Sequence, residues 1–416
     1  MTDRFIQKPV ILDDDLSNGR LKVSLLMTLL ADHPYKDQVA ETFKIAEIEE
    51  EYILVDHIDT LFKKISNINK NFHRFAVNAQ SKHINIRQSE EPVKNLSNPL
   101  PLVFNFEEYA EVDEVKTDLD CYAIYDSKNT YFDTYDMAKY ANRLYKDGLG
   151  ELAQHNLDYF KALAGGHKKY NRYRSYRMVV SDGQVFLRGI TSVDRYYEYG
   201  VDFAFVVSML ALHRDMKKHE GNRYAITSAA ASESKLEIIV ADKDLKDAGP
   251  FGKASSAIII TTNDLGQGSL NYQKIIRVGG RLHGGVYLFN SKEEANKSEL
   301  IISHRTGPKK TLESLSELDM LLNDTQDFIN DLLSIKTIKT PDELRARIEY
   351  KLTNPRSAFR EIRELRDIFK TKISNEIKAF AKLLEMCDKA EQLEIDYDLK
   401  DKLRYIISEI ILNKKS

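Results

Sequence analysis

The stretch from His167 to Arg177 reads His-Lys-Lys-Tyr-Asn-Arg-Tyr-Arg-Ser-Tyr-Arg, with five lysines and arginines, three tyrosines and no acid. Ammonium and guanidinium groups neutralise phosphates, and phenol rings offer faces on which unpaired bases stack. The chemistry this pattern points to is capture of a nucleic-acid strand. Lys168, Lys169, Arg172, Arg174 and Arg177 are the candidate phosphate contacts, and Tyr170, Tyr173 and Tyr176 the candidate stacking rings. Arg188 and Arg195 extend the set along the chain, and Lys274, Arg277, Arg281 and Arg305 are available to the same surface. The plainer reading turns the tyrosines inward and leaves the arginines as a solvated face that guards a sheet edge.

Other constellations are weaker. Glu233-Ser234-Lys235 opens a strand that carries Glu237, with Asp202 or Asp215 as a further carboxylate. Paired acids hold magnesium and a nearby lysine helps to activate water, which is nuclease chemistry. The Glu-x-Lys spacing recurs at Glu114-Val115-Lys116, so it is not distinctive. Arg356, Arg360, Arg363, Arg366 and Lys370 share one side of a helix if residues 356–370 form one. Glu361, Glu364 and Asp367 interleave them, and Phe359, Ile362, Phe369, Ile373 and Phe380 run alongside, which fits a bundle or dimer surface better than a polyanion site. Gly279-Gly280 and Gly284-Gly285 flank Arg281-Leu282-His283 without a helix start behind them, so they read as a loop and not a phosphate cradle. Phosphate-loop, dinucleotide, nucleophile-elbow and His-Glu-x-x-His signatures are absent, and ten histidines are scattered without metal-ligand spacing. No catalytic residue, metal or cofactor is assigned.

The elements that must position these residues follow from periodicity and turn chemistry. From Val39 through Phe75 apolar residues recur every three or four positions, which predicts one long amphipathic helix or two end to end. Residues 81–101 lose that period and carry Pro92, Pro99 and Pro101, so they read as a linker. Residues 121–125 and 130–132 read as a hairpin around Asp126-Ser127-Lys128-Asn129. Helices follow from Thr134 to about 145 and over 151–163, with Gly165-Gly166 as the stop. Asp182-Gly183 between β-rich runs marks a second hairpin, 176–180 with 185–190. An apolar helix is predicted over 201–218, then strands at 223–227, 236–241, 257–262, 270–278, 286–289 and 300–303. After Pro308 four helices are predicted: one from Leu312 to about 333, then 342–353, 357 to beyond 386, and 399–412. The fold class is α+β, a central mixed and mainly antiparallel sheet flanked by N-terminal helices and a C-terminal helical bundle. The expected units are an N-terminal helical region with linker (1–100), a central α+β domain (101–308) and the bundle (309–416).

Bulk properties bound the function. The chain has 416 residues and 42% apolar content, enough for a sizeable core. Its 61 lysines and arginines against 64 acids leave a net charge of −3, which excludes nucleic-acid coating by bulk charge but not a local basic face. Two distant cysteines, Cys121 and Cys387, argue for a reducing compartment. Asp13-Asp14-Asp15 precede any apolar run, unlike a signal peptide, and the apolar run 203–212 is about half a bilayer span. The expected location is cytoplasmic, with no membrane partner.

Residues 176–213 read YRMVVSDGQVFLRGITSVDRYYEYGVDFAFVVSMLALH. With LPLVFNF (100–106), AIIITTNDLGQGSLNYQKIIRV (257–278) and ISHRTG (302–307), this resembles a phage- and plasmid-associated family catalogued as domain of unknown function 932. The likeness spans about residues 100–308. It departs at Ser192-Val193-Asp194-Arg195-Tyr196, where the family's serine, aspartate, arginine and tyrosine are contiguous. It departs again at Gly279-Gly280, where a cysteine–asparagine pair is usual. The resemblance implies a phage or mobile-element context and no assigned reaction. The leading expectation is a non-enzymatic nucleic-acid-binding protein acting in single-strand handling, recombination or host-defence interplay. DNA is preferred over RNA as partner, and the helical regions would form a homo-oligomer. An oligomeric assembly or inhibitor protein is the second reading, and a metal-dependent nuclease the third.

Overall fold

A computed structural model gives the fold and describes residues 5–89, 101–112, 115–163, 172–266, 268–279, 285–289, 299–318, 330, 332–333, 339–371 and 376–412. The chain opens with short elements: β1 (Lys8–Pro9), β2 (Leu21–Lys22), α1 (Val23–Met27), α2 (Lys36–Thr42), α3 (Ile45–Ile48), β3 (Tyr52–Ile53) and β4 (Val55–Asp56). α4 (Ile58–Asn71), β5 (His73–Gln80) and β6 (Ile84–Gln88) follow. The expected long helix over 39–75 is therefore broken into six pieces, α2, α3, β3, β4, α4 and the start of β5. Lys44 and His57 adopt positive φ (51° and 65°), which no α-helix tolerates in its interior, and the apolar spacing on either side serves separate elements.

Beyond residue 100 come β7 (Leu102–Val112), β8 (Val115–Ala123), α5 (Ser127–Asp133), α6 (Ala138–Lys146) and α7 (Gly150–Leu163). The expected 121–132 hairpin is instead a strand end followed by a helix. Tyr125 takes positive φ (53°), and the Ser127 hydroxyl donates to the carbonyls of Ile124 (2.7 Å) and Leu187 (2.8 Å), anchoring the helix start on a neighbouring strand. β9 (Tyr173–Ser181) and β10 (Gln184–Ser192) form the expected hairpin, and Asp182 and Gly183 both have positive φ, as a tight two-residue turn of this hand requires. α8 (Gly200–Lys218), β11 (Tyr224–Ala231), β12 (Lys235–Asp242), β14 (Lys253–Asn263), β15 (Ser269–Val278), β16 (Val286–Phe289) and β17 (Glu299–Ser303) match the predicted order, and β13 (Lys246–Asp247) is a two-residue strand that was not predicted.

After α9 (Pro308–Ser314) the described helices are α10 (Pro341–Thr353), α11 (Arg363–Phe369), α12 (Phe380–Glu391) and α13 (Tyr397–Leu412). The predicted helix from 357 past 386 is thus interrupted. Arg356 and Arg360 lie before α11 and Lys370 caps its end, so the arginine stripe does not form one helical face.

Two sheets carry the architecture, and together they make the fold α+β. The large sheet runs β1-β11-β12-β14-β15-β16, with β4, β13 and β17 pairing at its margins. The small sheet runs β5-β9-β10-β8-β7-β6. Pairing is antiparallel except for β10 with β8 and β11 with β4. The first hundred residues do not form a separate helical unit. β1 and β4 pair with β11, while β5 pairs with β9 and β6 with β7. α1–α4 pack with α8 on one face of the large sheet, and the apolar run 203–212 is buried there throughout. α10–α13 share a core with Ala254, Ile276, Val278, Val286 and Leu288 at the β15–β16 end of the large sheet, α13 also reaches Glu237 and the Phe289 backbone through Arg404 and Ser408, and α5–α7 cover the small sheet.

One irregularity joins the sheets. In the β9–β10 pair Leu187 stands opposite Met178 and Gly189 opposite Arg177, so Arg188 is an inserted residue in a β-bulge. The bulge lets Leu187 and Ile190, three apart, both face the small-sheet core. Gly189 then touches the turn after β14: a Cβ there would meet the Leu265 carbonyl oxygen at 2.8 Å. Replacing Gly189 with alanine is expected to destabilise the fold by about 1–3 kcal/mol through this backbone clash. Gly183→Ala, where a Cβ meets nothing within 4 Å, should lose only the roughly 1–2 kcal/mol of its left-handed conformation. Urea unfolding midpoints compare the two, and an unaltered midpoint for Gly189→Ala would show that the sheets do not meet there.

Candidate functional site

The basic segment divides along its length. Lys168, Lys169 and Tyr170 lie outside the described residues. Arg172 is exposed, Tyr173 is 61% exposed and Arg174 is half-buried, all at the start of β9. Arg174 pairs across with Ser192, the last residue of β10, and with Ala79, next to the end of β5. Arg195, also exposed, follows three residues after Ser192. The open end of the hairpin therefore gathers Arg172, Tyr173, Arg174 and Arg195.

Three candidates belong to the interior instead. Tyr176 is 1% exposed, its ring set edge-on to Phe106 at 5.0 Å, and burial pushes its phenol pKa up. Arg177 and Arg188 are 9% and 1% exposed. The reason is the position of β9. It lies between β5 and β10, not at an edge, and both its faces are covered, so successive residues are buried whichever way they point. Tyr176 faces the helices of the small sheet, and Arg177 faces the seam between the sheets.

That seam is a polar network built from distant parts of the chain. Glu198, in the segment before α8, accepts from Arg177 Nη1 at 2.6 Å and from Arg188 Nη2. Arg177 Nε donates to Thr191 Oγ1 (3.2 Å), and its guanidinium lies over the Tyr196 ring at 5.0 Å. Arg188 Nη1 donates to Ser234 Oγ at 2.9 Å, in the turn between β11 and β12. Burial lowers the pKa of both arginines, because low dielectric disfavours the charged form. Beside them Arg74, from β5, donates to Asp202 of α8 at 2.8 Å.

The large-sheet side of the seam is acidic. Glu233 is fully buried, and burial raises its carboxyl pKa. Tyr125 Oη lies 2.7 Å from Glu233 Oε1 and 2.8 Å from the Phe5 carbonyl. Asp264, in the turn after β14, is also fully buried, and neither of its carboxylate oxygens has a hydrogen-bond partner. His304 Nδ1 stands 3.4 Å from Asp264 Oδ1 while bonding the Tyr197 carbonyl at 2.9 Å, and the His304 ring stacks on Tyr196 at 4.8 Å. The chemistry of this arrangement is mutual neutralisation that locks the two sheets.

The acids considered for a nuclease are dispersed. Asp202 holds Arg74, Asp215 accepts from Tyr224 (2.6 Å) and Asn222 (2.9 Å), Glu233 lies in the seam, and Glu237 bonds Arg404 at 2.8 Å. Lys235 pairs with Asp398 at 3.1 Å. Among the described residues no group of three or more histidines, cysteines or acids is placed to hold a metal ion. The two cysteines are buried and unpaired in a disulfide. Sequence reasoning missed Arg74, Glu198, Ser234, Asp264 and His304. A signal existed for part of the network: Arg177 and Arg188 each sit among apolar strand residues, and an arginine in such a place needs an acid from elsewhere.

No family model matches this chain, and no curated protein or solved structure matches it at a significant level.

Removing the shared acid is the sharpest test of the seam. Glu198→Gln leaves two buried guanidinium groups without their carboxylate and should destabilise the protein by about 3–5 kcal/mol. Adding Arg188→Met to it should recover part of that loss, with a coupling of at least ~1 kcal/mol in a double-mutant cycle. Simple additivity in denaturant titrations would show that the pair does not act as a unit.

Proposed function

We propose that the protein binds nucleic acid, single-stranded DNA in preference to RNA, at the open end of the β9–β10 hairpin. The observation that carries this reading is the placement of Arg172, Tyr173, Arg174 and Arg195. Strand register brings Tyr173 and Arg174 to one rim, Arg172 and Arg195 flank it in the chain, and among the described residues none of the three arginines forms an ion pair with a carboxylate. Arg177 and Arg188, by contrast, are matched by Glu198 and take no part. Lys82 and His83 follow the end of β5, whose Gln80 pairs with Tyr173, and add positive character to the same end. Lys168, Lys169 and Tyr170 precede this rim in the chain and extend the same composition.

The roles divide by chemistry. The arginines neutralise phosphates without reading sequence, and the exposed Tyr173 ring offers a stacking face that accepts any base. Such a surface suits strand handling without catalysis. The family resemblance adds a phage or mobile-element setting in which recombination or defence interplay calls for it.

Fluorescence anisotropy with labelled single- and double-stranded oligonucleotides tests the proposal. Charge reversal of Arg172, Arg174 and Arg195 together should weaken single-strand binding at least ~10-fold between about 50 and 200 mM salt. The slope of log affinity against log salt should fall by about 2, from ~0.7 per lost phosphate contact on a single strand. Tyr173→Ala alone should weaken binding by about 1–3 kcal/mol with the salt slope intact. A wild-type protein that binds no oligonucleotide, or a triple variant that binds as wild type, would reject the site.

A further inference from the structure

The helices over the small sheet form a groove whose apolar side chains face water. α6 and α7 are antiparallel neighbours. The Leu149 amide donates to the Leu144 carbonyl at 2.8 Å, Gly150 lies against the Tyr145 ring, and Asn156 Nδ2 lies 3.5 Å from Tyr140 Oη. Ala153 and Leu157 turn α7 toward the small-sheet core, and Ala141 and Leu144 do the same for α6. At about 100° per residue, Leu152, Asn156, Tyr159 and Leu163 then share one side of α7, and Tyr140 meets that side from α6. Tyr140, Leu149, Leu152, Tyr159 and Leu163 are each 40–62% exposed. Single exposed apolar residues are ordinary on a protein surface, but a contiguous group of this size marks an interaction site.

The two crests of this groove carry opposite charge. On α6, Lys139, Arg143 and Lys146 are exposed and lie within about 60° of one another around the helix. On α7, Glu151 and Asp158 are exposed and stand two turns apart on one line, on the far side of Leu152 and Tyr159 from α6. Their heights along the groove correspond. Tyr145 is level with Gly150 and Tyr140 with Asn156, so Arg143 stands beside the Glu151 level and Lys139 beside the Asp158 level. Within the chain these groups make only surface contacts: Arg143 lies 3.7 Å from Asp147, and Asp158 accepts from Gln154 at 2.8 Å.

We infer that this groove is where a second copy of the chain docks, about a two-fold axis that runs along it. Such an axis lays the basic crest of one copy on the acidic crest of the other. Arg143 then faces the partner's Glu151 and Lys139 faces the partner's Asp158, each contact occurring twice, as an isologous interface requires. The apolar grooves close on each other between these crests, giving a four-helix arrangement with an apolar centre and a charged rim. A polyanion fits this face less well, because the acidic crest repels phosphates. A protein partner of one charge sign would match only one crest. The inference uses none of the residues at the β9–β10 rim and holds whether or not that rim binds nucleic acid.

Sedimentation velocity of the full chain, free of nucleic acid and over a concentration series, is the test. The wild type should sediment as a dimer. Leu152→Glu and Tyr159→Glu, both at exposed positions, should each give a monomer whose far-ultraviolet circular dichroism matches the wild type. Arg143→Glu should weaken the dimer at least ~10-fold, because it sets like charges opposite each other twice per dimer, and Glu151→Arg should do the same. Combining the two restores opposite signs with the crests exchanged, and should return the affinity to within ~3-fold of wild type. A wild type that stays monomeric throughout the series, a dimer that persists in Leu152→Glu, or additive weakening in the double charge variant would overturn the inference.

Discussion

Burying an arginine costs several kcal/mol unless its charge is met in place, and two adjacent strands of this protein each bury one. Glu198 meets both. Because Arg177 and Arg188 belong to β9 and β10 while Glu198 precedes α8, the most buried helix, this one carboxylate ties the small sheet to the core of the large one. Ser234 and Asp264 approach from turns of the large sheet, and the Gly189 bulge lets the backbones come close enough for the contacts to form. The bulge also turns Arg188 to the seam while keeping Leu187 and Ile190 on the apolar side. Geometry and charge at this junction depend on each other.

The Arg404 centre solves a related problem with the opposite balance. There a single guanidinium from α13 gathers carboxylates from β12, α12 and its own helix, which fastens the C-terminal helices to β12 of the large sheet. In the seam three arginines stand among acids, with the Glu198 side chain partly reaching water. Around Arg404 the acids are in excess and a cavity adjoins them. The first arrangement favours rigidity.

These internal arrangements also decide which cations face water. Composition counts Arg172, Arg174, Arg177, Arg188 and Arg195 alike, yet two are consumed inside the molecule. The ones left over lie at or next to the end where β9 and β10 finish in register, Arg174 on the strand and Arg172 and Arg195 just outside it. A cluster of cations at the rim is thus what remains after the fold has used the charges it needs.

Much of the framework was legible in the residues. The Asp182-Gly183 turn, the apolar α8 and the succession of strands from β11 to β17 are local patterns, set by φ preferences and by the period of apolar side chains. Locality also explains the failures. The spacing from Val39 to Phe75 looks helical throughout, but Lys44 and His57 take left-handed conformations that a polar/apolar pattern does not record. The run at 121–132 looks like a hairpin until Ser127 finds the Leu187 carbonyl, sixty residues away. Alone, then, the sequence determined the class of fold and the position of its clearest hairpin, since both rest on neighbours within a few residues. Only the tertiary structure decided that β9 is central, that Tyr176, Arg177 and Arg188 are internal, and that Glu237 belongs to Arg404. Those outcomes depend on which distant side chain arrives to satisfy a buried charge, and no short window of residues contains both partners.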